Sequence, residues 1–284
     1  MMTTPNMMTT PNMMTTPNMM TTPNTRYAVL SYSTTNIGDD IQSIAAIDLL
    51  CKLTGITRSD VSLINRDKLS EYKGPPVILV ANGWFSHAPA KFRPPPQVTP
   101  IFIGFHLHAH KILTDNIDYF KQYEPIGCRD LYTKNQFEKY GIKAYMSYCL
   151  TLTLDDVNPT TGPIYVVDGF ATTHPKYMTN APNIKKIKHD CISSGTHVGQ
   201  RFAKARAMLD MYSKASKIVT SRLHAALPCI AMGITVEFHH RKLLEDPRFS
   251  GYESILTTGK LPIELKEQIV GYMREAINNI HTNI

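Results

Sequence analysis

Two hydrophobic patterns alternate along the chain after residue 25. Short apolar runs rich in β-branched residues are typical of buried strands, and longer stretches with apolar residues three or four apart are typical of helices. The predicted strands are Arg26–Ser31, Pro76–Ala81, Pro100–Gly104, Ile126–Cys128, Lys143–Ser147, Ile164–Asp168, a short strand ending at Ile218 and Val219, and Thr235–Phe238. The predicted helices are Asn36–Leu53, Asp115–Tyr123, Leu131–Tyr140, Gln200–Ala215, Leu223–Met232 and Ile263–Asn279. This alternation predicts an α/β fold with parallel sheets.

A cluster of turn residues, Asn158–Pro163, separates the elements into two series. We therefore predict two α/β domains facing a cleft, residues 25–157 and 158–284. The last helix has an amphipathic pattern that suits packing against either half. In open α/β sheets, ligands bind beyond the carboxyl ends of the strands, so four loops are expected to converge there. These loops are Asn36–Asp39, Asn82–Trp84, Phe105–His108 and Ser221–His224.

The first 24 residues have a different character from the rest of the chain. They are four copies of Met-Met-Thr-Thr-Pro-Asn, without a charged or aromatic residue. Such a segment buries too little apolar surface to offset the entropy of ordering, so we predict a disordered tail outside the fold.

Composition changes this picture little. The chain has 284 residues, of which 43% are hydrophobic and 19% are charged, as in ordinary globular proteins. The formal charge of +7 is spread over short patches such as Lys185, Lys186 and Lys188, without a long basic run. That distribution does not favour nucleic acid binding and suits a small anionic substrate at least as well.

Cysteine usage and hydropathy indicate a cytoplasmic protein. The five cysteines show neither Cys-x-x-Cys spacing nor an even count, which favours reduced thiols. No signal-peptide pattern precedes the predicted fold, and no run of about 18 apolar residues predicts a membrane span.

The most informative segment is Lys217–Val236, in which a strand leads into a mostly apolar helix. Ser221 is a suitable N-cap, which places Arg222 and His224 on the first helical turn. The free N–H groups and the dipole of a helix start favour an anion, and a guanidinium binds one through two hydrogen bonds. The pattern predicts a phosphate or carboxylate pocket with an acid/base beside it. The alternative is a solvated arginine and a structural histidine.

Two common cofactor motifs are missing. After the first strand the chain has Ser-Thr-Thr-Asn-Ile-Gly-Asp-Asp, with a single glycine, so a Gly-x-Gly-x-x-Gly dinucleotide loop is not expected. No Walker-type lysine loop is found either.

Six segments, in order, carry a resemblance to a known family. They are N-I-G-D-D at 36–40, N-G-W-F at 82–85, P-I-G-C-R-D-L-Y-T at 125–133, Y-C-L-T-L-T-L at 148–154, R-F-A-K-A-R-A-M-L from 201 and T-S-R-L-H-A-A-L-P-C from 220. Together they resemble the polysaccharide pyruvyl transferases. The resemblance implies two Rossmann-like domains similar to GT-B glycosyltransferases, with the acceptor side in the first and the donor side in the second. It also implies transfer from phosphoenolpyruvate to a sugar, forming a pyruvate ketal. No further cofactor and no metal are expected, and a homo-oligomer is left open.

The resemblance also implies roles for individual residues. His224 is expected to donate a proton to the methylene carbon, and Asp39 is a candidate base, although an Asp there is more often a helix cap. The residues expected to bind phosphoenolpyruvate are Ser221, Arg222, Leu223, Arg129 and Arg201. For two of them alternatives stay open, because Arg129 could pair with Asp130 and Arg201 could be solvated.

The expected acceptor-binding residues are Asn36, Gly38, Asn82, Trp84, His106 and His108. His106, His108 and His110 alternate along the end of a predicted strand, which also suits a zinc site. No cysteine or carboxylate is spaced to complete that site, so acceptor contact is the preferred interpretation. Trp84 could stack on a sugar ring or pack in the core.

Two other functions are compatible with the sequence. One is a GT-B-like glycosyltransferase that uses a nucleotide sugar, with an acidic residue such as Glu237 holding the ribose hydroxyls. The other is a non-catalytic saccharide-binding protein that has kept the fold.

The first prediction concerns the repeat tail. Deleting residues 1–24 should leave the melting temperature and the activity unchanged, because this segment contributes nothing to the core. Thermal unfolding of the full and shortened chains checks this expectation, and a clear loss of stability on deletion would show that the tail packs on the fold.

Overall fold

The computed structural model describes residues 25–157, 161–168, 181–240 and 242–282. The repeat tail and part of the predicted turn cluster lie outside the described residues. The strands are β1 (Tyr27–Ser31), β2 (Val61–Asn65), β3 (Val77–Val80), β4 (Gly83–Phe85), β5 (Val98–Ile101), β6 (Phe105–Leu107), β7 (Ile126–Cys128), β8 (Ala144–Met146), β9 (Ile164–Val167), β10 (Ile184–Ile187), β11 (Lys217–Thr220) and β12 (Val236–Phe238). The helices are α1 (Ile37–Thr54), α2 (His110–Thr114), α3 (Ile117–Gln122), α4 (Leu131–Lys139), α5 (Val198–Ser213), α6 (Leu223–Ala231), α7 (Glu253–Thr258) and α8 (Ile263–Thr282).

The described strands form three parallel four-stranded sheets, which confirms the predicted α/β fold. The strand orders are β2-β1-β3-β5, β4-β6-β7-β8 and β10-β9-β11-β12. The first two sheets are continuous along the chain, because β3 leads into β4 and β5 leads into β6. The Ala81 N–H donates to the Ile101 carbonyl at 2.9 Å, and the Gly83 N–H donates to the Gly104 carbonyl at 3.3 Å. The loops between these strands therefore lie within the sheet region, close to the predicted cleft.

Four strands are absent from the predicted elements. The strands β4 and β6 directly follow the predicted strands Pro76–Ala81 and Pro100–Gly104, whereas β2 and β10 are separate strands at sheet edges. In β2 only Val61 and Ile64 are buried. In β10 the two central residues, Lys185 and Lys186, are exposed, although the sequence suggested only a basic patch there. Because an edge strand is covered on fewer sides than a central one, it lacks the continuous apolar run on which strand prediction relies.

The region around the three alternating histidines also differs from prediction. The expected helix Asp115–Tyr123 corresponds to α3, and a short helix that was not predicted, α2, precedes it. The strand that carries His106 ends at Leu107, and His110 begins α2. The alternation of side chains that made a zinc site plausible therefore does not extend to His110.

The C-terminal helix α8 packs against the first sheet. Ile269, Met273 and Ile277 are fully buried in the same core as Tyr27 of β1. The Tyr27 hydroxyl and His281 Nε2 are 2.8 Å apart at the far end of the helix. The sequence had left open which half of the chain the last helix packs against. The structure shows that α8 packs on the first sheet, which contains the start of the chain.

Helix α1 lies between the two halves and is almost entirely buried. Of its 18 residues, 13 are buried, and it contributes Ile47 and Leu50 to the core of the first sheet. Its earlier residues Ile37, Ile41 and Ile44 pack into the core of the third sheet. A helix covered on all sides has no polar face, which explains why α1 shows no clear amphipathic pattern.

An ion pair within this interface joins α1 to α5. Arg201 donates from Nε to Asp40 Oδ1 at 3.1 Å and from Nη2 to Asp40 Oδ2 at 2.7 Å. Its Nη1 donates to the carbonyl of Thr34 at 2.5 Å. The Arg201 side chain is 1% exposed, so it is not solvated, and each of these donors is satisfied. Burial raises the pKa of the Asp40 carboxyl to about 6, even though Arg201 opposes the shift.

The second prediction follows from this ion pair. Replacing Arg201 with Met should lower the free energy of unfolding by about 3–5 kcal/mol, because it leaves the Asp40 carboxylate buried without a cation. The double variant Arg201→Met/Asp40→Leu should recover much of that loss. The matched control is Lys52→Met, which removes only an exposed pair with Asp155 and should cost about 1 kcal/mol or less. Urea unfolding measures all three; equal effects of Arg201→Met and Lys52→Met would contradict the prediction.

Candidate active site

The N-terminus of α1 is held against the second half of the chain. Asn36 caps the helix, because its Oδ1 accepts from the Gly38 N–H at 3.0 Å. The Ile37 N–H donates to the His189 carbonyl at 3.1 Å, and Asn36 forms an antiparallel bridge with Asp190. A Cβ atom on Gly38 would lie only 2.9 Å from the Cβ of His224. Glycine is therefore required for this close approach, which brings the first motif next to the histidine of α6.

Arg222 stands at the start of α6 between two carboxylates. The structure places Arg222, and not Ser221 as predicted, at the N-cap, and no side chain caps the helix. Its Nε donates to Asp168, and its Nη2 donates to Asp190 at 2.5 Å. Asp168 has a φ of 66°, a left-handed conformation that Asp tolerates better than most residues. The guanidinium of Arg222, which we predicted to bind an anion, is thus already paired with two carboxylates. The Arg222 side chain is 38% exposed.

Arg129 is a buried cation of the site. Its side chain is 2% exposed, and neither Nε nor Nη1 has a hydrogen-bond partner among the described residues. The sequence left open an ion pair between Arg129 and Asp130. The two charges are close, but at 3.6 Å from Arg129 Nε to Asp130 Oδ2 they form no hydrogen bond. Buried donors without partners are costly, so a guanidinium in this state is suited to receive an anion.

His224 is half-buried, and its Nε2 lies 3.9 Å from Cys149 Sγ. Burial holds its pKa well below the usual value, and the positive charge of Arg129 lowers it further. The imidazole is therefore neutral before an anion arrives. Cys149 lines the site beside His224, although the sequence did not single it out. Burial raises the pKa of its thiol.

His106 is fully buried and forms a pair with Asp130. Its Nδ1 hydrogen-bonds the Asp130 carboxylate, whereas its Nε2 has no partner among the described residues. Burial lowers the pKa of His106 to about 4, with Arg129 as the next cause. His110 instead lies near Tyr140, with its Nε2 3.3 Å from the hydroxyl. In the part of the chain that the structure describes, no group of three or more His, Cys, Asp or Glu side chains is arranged to hold a metal ion.

Trp84 lies between two exposed histidines. Its ring centroid is 5.3 Å from those of His87 and His108, both edge-to-face, and 6.4 Å from that of His106. The indole is half-buried, and its Nε1 has no partner among the described residues. An aromatic face with an unused N–H is suited to a polar ring such as a sugar.

Arg66 and His87 belong to this site, although the sequence did not indicate them. Arg66 Nη2 is 2.9 Å from His87 Nδ1, and its Nη1 is 4.0 Å from Asp39 Oδ2. Arg66 is held by a bidentate pair with Asp67, at 2.9 and 3.0 Å. No local motif marks Arg66, because it follows β2, the strand that the hydrophobic pattern did not reveal.

Asp39 and Asn82 are both buried, and their side chains form hydrogen bonds with neighbouring residues. Asp39 accepts from Thr34 Oγ1 at 2.6 Å and from Gln42 Nε2 at 3.4 Å, and it does not cap α1. Burial raises the pKa of the Asp39 carboxyl, against the effect of Arg66. Asn82 donates to the Gln42 carbonyl at 3.2 Å and accepts from the Leu150 N–H at 3.4 Å.

The structure thus brings most of the predicted residues to one edge of the sheets. Arg129, His106 and Trp84 lie on the side of the first two sheets, and Arg222 and His224 lie on the side of the third. Ser221 is half-buried beside Arg222, Leu223 is buried, and the donors of Arg201 are taken up by Asp40 and Thr34. Besides Arg66 and His87, sequence reasoning missed His189, which is 1% exposed and has an unpartnered Nε2 among the described residues.

Comparison with known proteins identifies the family. Residues 36–236 match the sequence model of the polysaccharide pyruvyl transferases, so the chain belongs to that family. No curated protein sequence matches. A solved structure of an uncharacterized protein from Klebsiella pneumoniae subsp. pneumoniae NTUH-K2044 is similar, with a TM-score of 0.45 and 14% identity over 80% of this chain and 88% of that one. Within the described residues, no helix is both long and apolar enough to cross a membrane.

The third prediction concerns acid stability. Burial lowers the pKa of His189 to about 3, with Arg222 as a further cause, whereas an unfolded histidine titrates near 6.5. Below about pH 6.5 the unfolded chain gains a proton that the folded chain does not. The free energy of unfolding should therefore fall by about 1.4 kcal/mol per pH unit for this group as the pH is lowered toward 3.

His189→Asn should remove this share of the slope between pH 6 and pH 4. The matched control is His197→Asn, at an exposed N-cap of α5 where Asn also caps well, and it should leave the slope unchanged. Urea unfolding at several pH values measures both slopes; the same slope in wild type and His189→Asn would overturn the assignment.

Proposed function

We propose that this protein transfers the pyruvyl group of phosphoenolpyruvate to two hydroxyls of a saccharide and so forms a pyruvate ketal. Family membership supports this reaction. The observation that carries it is Arg129, a buried guanidinium with unused donors whose charge acts on the neighbouring imidazole of His224. The proposal includes a GT-B-like arrangement of two Rossmann-like domains, residues 25–157 and 158–284, with α8 returning to the first.

Phosphoenolpyruvate carries a carboxylate and a phosphate, and the site offers cations for both. Arg129 would bind one of them with the donors that the protein leaves unpaired. The start of α6, with Ser221, Arg222 and Leu223, would bind the other through backbone N–H groups and the helix dipole. Arg222 would join by releasing Asp190, the more exposed of its two carboxylates, which is 45% exposed against 13% for Asp168. Arg201 would act indirectly, by holding α1 in place.

His224 would supply the proton that starts the reaction. A trianionic ligand beside the imidazole offsets the positive charge of Arg129, so donor binding raises the pKa of His224 and favours its protonated form. Transfer of that proton to the methylene carbon leaves a cationic C2, which a sugar hydroxyl attacks. Binding of the donor thus prepares the acid that the chemistry requires.

The acceptor would bind on the side of the first two sheets. Trp84 offers an aromatic face, and His106 and His108 offer ring nitrogens beside it. Asn36 and Gly38 would contact the acceptor from the turn that lies against His224, and Asn82 lies beside Cys149. Asp39 is in contact with Thr34.

The fourth prediction tests the donor site by thermal stability. Phosphoenolpyruvate at about a hundred times its Kd should add roughly 2.7 kcal/mol to the free energy of unfolding. Arg129→Met should abolish this stabilisation, because the anion loses its buried cation. The matched control is Arg206→Met, which removes a half-exposed arginine paired with Asp48 and should leave the stabilisation intact.

The same assay separates the alternatives. His224→Gln should retain the stabilisation by phosphoenolpyruvate but lose phosphate release by at least about 100-fold, as expected for a general acid. Stabilisation by UDP-glucose or GDP-mannose alone would indicate glycosyl transfer. No response to any of these ligands would contradict the proposed function and favour a non-catalytic saccharide-binding protein.

A further inference from the structure

We propose that His106, oriented by Asp130, is the base that removes the proton from the attacking acceptor hydroxyl. This inference rests on the proposed function and deepens it, since it assigns the second proton-transfer group to a side chain that the family resemblance connects only with acceptor binding. His106 is the catalytic residue in this assignment, and Asp130 is a positioning residue.

A network of short contacts fixes the His106 ring. Nδ1 faces the carboxylate Oδ2 of Asp130, whose other oxygen accepts from the Thr133 N–H at 2.9 Å as the N-cap of α4. The Thr133 hydroxyl in turn accepts from the Leu107 N–H at 3.1 Å. A carboxylate at Nδ1 selects the tautomer with a proton on that nitrogen. The lone pair of the neutral ring is therefore on Nε2.

The His106 ring lies next to Trp84, with the two ring centroids 6.4 Å apart, and its Nε2 is the atom available to an acceptor. It is buried and has no hydrogen-bond partner among the described residues, as is also true of the indole Nε1 of Trp84. Nε2 of the neutral ring only accepts a hydrogen bond, and the indole N–H only donates one. A sugar hydroxyl can donate to the first atom and accept from the second. The hydrogen-bonding capacity of these two unpaired atoms is thus complementary to that of sugar hydroxyls.

Asp39, the base suggested by the sequence, is less well placed for this role. Its Oδ2 accepts from Thr34 at 2.6 Å, and its Oδ1 accepts from Gln42 at 3.4 Å. Both carboxylate oxygens are therefore already in use. His106, by contrast, has Nδ1 bonded to Asp130, while Nε2 has no hydrogen-bond partner among the described residues.

The charged and titratable groups that face His106 support a neutral ring in the resting enzyme. They are Asp130, Arg129, His108 and His224. Burial and Arg129 lower the pKa of His106 to about 4, and Asp130 opposes them. Donor binding offsets Arg129, so the imidazole becomes more basic when the substrate is present. His106 is then ready to accept a proton while His224 is ready to give one.

His224, His106 and solvent together donate and accept all the protons that the reaction moves. His224 gives a proton to C3 of phosphoenolpyruvate; the acceptor O–H bond breaks, its oxygen bonds C2, and its proton goes to Nε2 of His106. The C2–O bond to phosphate then breaks with its electron pair, and the second hydroxyl bonds C2 in its place. Over both attacks, the two hydroxyl protons are accounted for by the third methyl hydrogen and the hydrogen of HPO₄²⁻.

The experiment compares His106→Gln and Asp130→Asn with the control His110→Gln, an exposed histidine on α2 outside the site. The probes are phosphoenolpyruvate and the methyl glycosides of glucose, galactose and mannose, with water as the reference acceptor. His106→Gln should keep the thermal stabilisation by phosphoenolpyruvate and the exchange of its methylene hydrogens with D₂O, which needs only His224. It should lose phosphate release by at least about 100-fold with whichever acceptor is turned over, water included.

A second readout is independent of turnover. The Nδ1 proton shared with Asp130 should give a low-field NMR resonance in wild type that is absent from both His106→Gln and Asp130→Asn. In Asp130→Asn the acidic limb of kcat/KM should also move to lower pH, because the carboxylate that favours the protonated imidazole is lost.

The outcomes separate this inference from the proposed function. A wild-type protein that does not bind phosphoenolpyruvate contradicts the proposed function itself. A wild type that binds and turns over, with His106→Gln within about threefold of its rate, overturns the role of His106 while leaving the proposed function intact. If Asp39→Asn lost turnover while His106→Gln kept it, Asp39 would be the base instead of His106.

Discussion

The ion pair between Arg201 and Asp40 is the interaction on which the rest of the structure depends. It is buried at the point where α1 meets α5, and it binds α1 to the second half of the chain while the other face of α1 packs on the first. The N-terminal turn of that helix holds Gly38 against His224. A shift of α1 by the length of one side chain would remove this contact. The candidate site is therefore positioned by a structural pair that lies outside it.

The candidate site contains a buried positive charge that the described residues pair only in part. Arg129 is buried with unused donors, and two histidines on which its charge acts, His106 and His224, are held neutral mainly by burial. A buried guanidinium without hydrogen-bond partners is costly, and neutral imidazoles do not pair with it. A bound anion would remove this cost. The same anion makes the imidazoles more basic. In the proposed function, the charge of the donor and the acid–base chemistry are thus coupled.

The order of strands explains which site residues the sequence revealed. Arg129, Arg222 and Asp39 follow central strands or begin a buried helix, where apolar runs mark the preceding element clearly. Arg66 and His189 follow the edge strands β2 and β10, whose exposed residues hide the strand pattern. Because these two strands were not predicted, neither were the functional positions at their carboxyl ends.

The sequence by itself determined the α/β class, most element positions, the family motifs and the turn that carries Arg222 and His224. These features depend on local periodicity and on residue types at fixed spacing. Only the tertiary structure decided that α8 returns to the first sheet, that Arg201 is buried on Asp40, and that Arg222 lies between Asp168 and Asp190. It also decided which donors remain unpaired. Contacts between residues far apart in the chain depend on how the elements pack, and no local pattern encodes that packing.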